Sequence, residues 1–122
     1  MMYGQINNMP EAEKHYLQSL DIYARLAQSN PQQFEPDLGL IQINLGLFYQ
    51  DQKDYTKAEM YLTSALSIYD KWEKVSPKIF GNNRKKMWRV VKAFYEEWIA
   101  AASTASEKTA LEKKLKDVLA RE

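Results

Sequence analysis

Residues 12–34, AEKHYLQSLDIYARLAQSNPQQF, lie without a gap over residues 58–80, AEMYLTSALSIYDKWEKVSPKIF, and that alignment decides the fold. Ala12/Ala58, Glu13/Glu59, Leu20/Leu66, Ile22/Ile68, Tyr23/Tyr69, Pro31/Pro77 and Phe34/Phe80 coincide at a constant offset of 46 residues. The register runs backward, pairing Tyr3 with Tyr49, and forward, pairing Phe48-Tyr49 with Phe94-Tyr95. A unit repeated about two and a half times points to a solenoid, in which each unit buries its apolar face only against its neighbours.

Each unit reads as two antiparallel helices. Leu40, Ile41, Leu45, Phe48 and Tyr49 recur at three- and four-residue spacing, the polar run 50–54 interrupts them, and Ala58, Tyr61, Leu62, Ala65, Leu66 and Tyr69 resume the pattern. Asp54 is the expected N-cap of the second helix. Asn8 with Glu11, and Thr104 with Glu107, are capping-box starts elsewhere. Pro31, Pro36 and Pro77 are expected beyond helix ends, because an interior proline loses a hydrogen bond and clashes with the preceding turn. The third unit is expected to begin near Asn83, carry Met87, Val91, Phe94 and Trp98 on one face, and stop near residue 103. Leu111, Leu115, Val118 and Leu119 then form one narrow stripe among charges, as suits a helix that ends a stack. The expected architecture is all-α, about five helices in one domain: a partial unit 1–34, a full unit 35–80 and a divergent unit 81–122.

Bulk properties narrow the function. Lys and Arg number 17 against 16 Asp and Glu, a net charge of +1 that creates no global field for nucleic acid or anionic membrane. There is no cysteine, which excludes disulfides and thiolate chemistry. The sequence shows neither a signal peptide nor an apolar run long enough to span a membrane, so the expected location is cytoplasmic. His15 is the only histidine and the glycines at 4, 39, 46 and 81 are scattered. No metal site, phosphate loop or catalytic dyad is assembled, and the chain is expected to be non-catalytic and to need no cofactor. Tyr23/Tyr69 and Tyr49/Tyr95 recur in register, which assigns them to packing between helices rather than to a ligand cage.

The run Asn44-Leu45-Gly46, followed by Tyr49, Ala58, Leu62, Ala65 and Leu66, resembles the tetratricopeptide-repeat signature. Small residues there let paired helices approach, with Gly46 and Ala65 as the expected tight contacts. The 46-residue period exceeds the family's usual ~34 and resembles the long-helix, kinesin-light-chain-like variety. Lys92 stands where the third unit should have its small residue. The resemblance implies a right-handed superhelix that holds a protein or peptide partner along the first helices of each pair. In this chain that nominates Leu40, Ile43, Asn44, Leu47, Gln50 and Asp51, with Lys86, Arg89, Ala93, Glu96 and Glu97. Some family members clamp a carboxylate with asparagine and lysine. Asn44 and Lys86 match two such places, and Val90 stands at a third.

Two rival readings accompany the scaffold. Arg84, Lys85, Lys86, Arg89 and Lys92 form the main basic cluster, which an accessory nucleic-acid protein could use; without a wider patch and exposed aromatics this is the weaker reading. The other is self-association. The first unit shows only the last turn of its first helix, at Met2 and Tyr3, so the helix bearing Leu17 and Leu20 should be covered either by preceding sequence of a longer array or by a second copy in a homodimer.

Overall fold

The computed structural model describes residues 9–120. Within them the chain forms five helices and no strand: α1 Met9–Ser29, α2 Pro31–Asp51, α3 Tyr55–Val75, α4 Pro77–Ala101 and α5 Ala105–Leu119. Each helix packs against the next, giving an all-α repeat array.

The corners follow from local chemistry. A single residue, Asn30, separates α1 from α2, and a single residue, Ser76, separates α3 from α4; their backbones are nearly superimposable, at φ −146° with ψ 80° and 83°. Pro31 and Pro77 occupy the first helical turn, where a missing N–H costs nothing and φ is already helical. The prolines thus end one helix and begin the next. The third pair accordingly starts at Pro77, not near Asn83. Pro36 departs further from expectation, because it lies inside α2. It forfeits one backbone hydrogen bond near the helix start, while its own carbonyl accepts from the hydroxyl of Tyr69 at 2.7 Å. Burial and the Asp37 carboxylate push that Tyr69 phenol up to about 12.

The α2–α3 hairpin turns through Gln52-Lys53-Asp54, with Lys53 left-handed at φ 65°. Asp54 caps α3 by accepting from the Lys57 amide at 3.3 Å, and Thr104 caps α5 from the Glu107 amide at 3.1 Å, both as the sequence suggests. Asn8, Met2 and Tyr3 lie outside the described residues.

Several residues that repeat, Tyr49 and Tyr95, Phe48 and Phe94 among them, lie in the core. Leu45, Leu62, Leu66, Tyr69, Val91 and Phe94 are its largest fully buried side chains. Positions 46 residues apart do the same work. The hydroxyl of Tyr49 donates to Glu13 at 2.6 Å and that of Tyr95 to Glu59 at 2.7 Å, each tying a first helix to the second helix before it. Tyr23 meets Phe34 and Tyr69 meets Phe80, both with ring centroids 6.4 Å apart. Gly46 is pressed against Leu62: a Cβ there would stand 2.5 Å from Leu62 Cγ and 3.3 Å from its backbone nitrogen. The close partner of Gly46 is therefore Leu62, and Ala65 is fully buried one turn further along α3. Gly39 makes a second close approach, its missing Cβ falling 2.7 Å from the Tyr69 ring. Both glycines lie on one side of α2, so helix spacing sets both contacts.

The last pair departs from the pattern. α4 has 25 residues against 21 in α2, and α5 has 15 against 21 in α3. Trp88 donates from its indole to the carbonyl of Val118 at 2.9 Å, and Lys114 reaches back to Glu59 at 2.8 Å, which fixes α5 on the end of the stack. Lys92, at the position equivalent to Gly46, lies over the Trp88 ring at 5.8 Å.

Candidate interaction surface on the first helices

The nominated residues separate by burial. Leu40 and Leu47 are 46 % and 38 % exposed, and Asn44 and Asp51 are exposed with them; at about 100° per residue these four form one outward strip along α2. Ile43 does not belong to it. At 7 % exposure it sits in the core cluster, on the side of α2 that carries Gly39 and Gly46, so a partner cannot reach it. On α4, Lys86, Arg89, Ala93 and Glu96 are exposed.

Gln50 and Glu97 form a junction. The Gln50 side-chain amide donates to Glu97 at 3.1 Å, the Tyr55 hydroxyl donates to the same carboxylate at 3.0 Å, and the Lys53 ammonium stands 3.5 Å away. This ties the carboxyl ends of α2 and α4 together. Burial works to raise the Glu97 carboxyl, but the Gln50 and Tyr55 hydrogen bonds and the Lys53 charge outweigh it and hold the group below its ordinary 4.5. A carboxyl depressed in the folded state stabilises the fold above its unfolded value, and that contribution disappears as pH falls through the folded value. Urea midpoints measured below about pH 4.5 should therefore fall less steeply for Glu97→Gln than for the unaltered chain. Parallel acid limbs would show that the junction contributes nothing.

The basic cluster is thinner than its sequence suggests. Arg84 is buried, with its Nε 2.7 Å from Asp70 Oδ1, and Trp88 is buried and engaged with Val118. Lys85, Lys86 and Arg89 remain exposed, but the Trp88 ring beside them is buried and so is not open for a base to stack on. His15 lies 3.6 Å from Glu11 on exposed α1 surface, and among the described residues no group of three His, Cys, Asp or Glu is placed to hold a metal. No described helix is long and apolar enough to cross a membrane.

Two packing features escaped the sequence. Gly39 could have been found as the glycine seven residues, about two turns, before Gly46. The Trp72 indole, which donates to Glu35 at 2.9 Å, has no periodic signal, since position 26 of the preceding unit is leucine.

Comparison with family models matches residues 40–71 to a tetratricopeptide repeat. The match begins inside α2 and ends inside α3, so its two helices are those of the hairpin closed by Gly46 against Leu62. No curated protein and no solved structure matches the chain. The α2–α3 hairpin is thus a tetratricopeptide repeat over residues 40–71, and contacts of the same kind recur 46 residues apart on either side of it.

Proposed function

We propose that this chain is a non-catalytic protein-interaction scaffold, one repeat domain over residues 1–122, whose α2 and α4 surfaces receive an extended or helical segment of a partner protein. Tetratricopeptide repeats are interaction modules, and the observation that carries the assignment is the Leu40/Leu47 pair. Two leucines stand open to solvent two turns apart on the first helix of the repeat, where neither hairpin packing nor the α1 contact uses them. Asn44 lies between them, while Lys86, Arg89 and Glu96 on α4 supply polar contacts for orientation. Apolar anchors with a polar rim are the ordinary composition of a binding surface. Helices of 21 residues and the 46-residue period support the long-helix, kinesin-light-chain-like variety.

The test places a photoreactive benzoylphenylalanine at position 44 and identifies cross-linked proteins in cells of the source organism, with position 113 on exposed α5 surface as control. A protein captured from position 44 alone, and lost in a Leu40→Asp/Leu47→Asp background, is expected. Equal capture from both positions, or capture indifferent to the two aspartates, would remove the surface from consideration.

Self-association is a second reading favoured by one contrast. Ile22 and Leu26 on α1 are exposed, whereas Ile68 and Trp72 at the equivalent places of α3 are half-buried. Leu17 is exposed as well, but Leu20 packs against the core. Sedimentation equilibrium of an Ile22→Asp/Leu26→Asp variant distinguishes a dimer through this flank from a monomer.

A further inference from the structure

The two single-residue corners serve as internal controls for each other. They share the same backbone angles, a proline at the helix start and a phenylalanine four residues beyond the corner residue, Phe34 or Phe80. Around the first corner the sequence places Gln28, Ser29, Gln32 and Gln33; around the second, 46 residues on, it places Lys74, Val75, Lys78 and Ile79. Four uncharged polar residues have become two apolar ones, each with a lysine beside it. Since the first corner folds with the polar set, the backbone does not demand the exchange.

Nor does the core use it. Val75 and Ile79 are 67 % and 68 % exposed, the most open large apolar side chains among the described residues. With Trp72, Phe80, Gln32 and Ser76 they border a notch of about 330 Å³, within the range of ~300–1,000 Å³ that holds ligand-sized groups. Its floor is fixed. Trp72 is held by the hydrogen bond from its indole to Glu35, its ring centroid lies 6.1 Å from that of Phe80, and the Lys71 ammonium stands 5.1 Å over it while pairing with Glu35. Lys71 is thereby committed within the fold. Lys74 and Lys78, next in sequence to Val75 and Ile79, are exposed cations outside the lining.

We propose that the α3–α4 corner docks a segment of a partner protein that inserts a bulky apolar side chain into the Trp72/Val75/Ile79/Phe80 notch and carries Asp or Glu on its flanks. The preformed recess supplies the apolar contact, and Lys74 and Lys78 select the acidic flanks by charge complementarity. A recess floored by two rings suits a side chain better than a lipid surface, which requires an apolar projection. The site shares no residue with the Leu40/Leu47 surface and stands or falls independently of it.

Selection of a random phage-displayed peptide library on the unaltered chain tests this, with affinities of synthetic enriched peptides read by fluorescence polarisation. The comparison protein is the fourfold exchange Lys74→Gln/Val75→Ser/Lys78→Gln/Ile79→Gln, which transplants the first corner and is expected to melt as the unaltered chain does. Ile79→Gln alone is the second variant. Enriched peptides should combine a bulky apolar residue with neighbouring Asp or Glu, and their affinity should fall about tenfold or more in the fourfold variant. The Lys74→Gln/Lys78→Gln pair should lose mainly the salt-dependent part, and Leu40→Asp/Leu47→Asp should lose nothing. Failure to enrich peptides of that composition, or equal binding to the fourfold variant, overturns the proposal. So does binding to phosphatidylserine vesicles that the exchange abolishes, which assigns the corner to a lipid surface. A dimer dissolved by the exchange would assign it instead to a second copy.

Discussion

Ile43→Asp is expected to abolish the cooperative thermal transition, while Leu40→Asp/Leu47→Asp leaves it nearly where it was. The two substitutions fall within one turn of each other on α2, and only burial separates them. Ile43 is in the core cluster, so the aspartate forfeits about 2 kcal/mol of apolar burial and places a carboxyl where its charge costs several kcal/mol more or must be neutralised. Domains of this size have about 5–15 kcal/mol of stability in all. Leu40 and Leu47 face solvent, where substitutions change stability by roughly 0.5 kcal/mol or less. Far-UV circular dichroism against temperature reads both. A melting temperature for Ile43→Asp within a few degrees of the unaltered chain would mean that Ile43 opens to solvent and returns to the interaction surface.

That contrast also shows where the sequence stops being legible. Residues 40, 43, 44 and 47 all fall within about 100° of one another on a helix, so periodicity presents them as one face. What divides them is the position of the neighbouring helix. Ile43 is about 40° from Leu47 and about 40° from Gly39, and it is the close approach of α3 at Gly39 and Gly46 that moves the boundary of the core past Ile43. A lone glycine in a helical pattern does not say how near the next helix comes. By contrast, the repeat was legible in detail, because identity at a constant offset reports shared work. Glu13/Glu59 with Tyr49/Tyr95, and Tyr23/Tyr69 with Phe34/Phe80, make the same two contacts twice. Pro36 was misread for a physical reason as well. The rule against interior proline weighs a lost hydrogen bond and a clash with the preceding turn, whereas here those costs are set against burial of the rest of α2 and a hydrogen bond from Tyr69 to the proline carbonyl.

Phe94→Ala should produce the largest loss of stability from a truncation that introduces no charge, and the loss should be uneven along the chain. Phe94 is fully buried, with ring centroids 5.1 Å from Tyr95, 5.5 Å from Trp98 and 6.2 Å from Tyr55. Emptying that position costs about 3–5 kcal/mol, or a fall in melting temperature of about 10–20 °C. In a linear array each helix is supported only by its neighbours, so the damage should fall where α4, carrying α5 beyond it, rests on α3 through Phe94 and Tyr55. α5 is the shortest helix, with Leu111 and Val118 as its buried residues, and it rests on α4 and on the Lys114–Glu59 contact. Amide hydrogen exchange in Phe94→Ala should therefore rise first across α5 and the carboxyl half of α4, with α1 and α2 retaining more protection. Phe48→Ala, at the equivalent position one unit earlier, should instead loosen α1, where Phe48 meets Tyr16 at 5.6 Å. Uniform loss of protection in both variants would show that the five helices unfold as one unit, with the repeat governing contacts but not cooperativity.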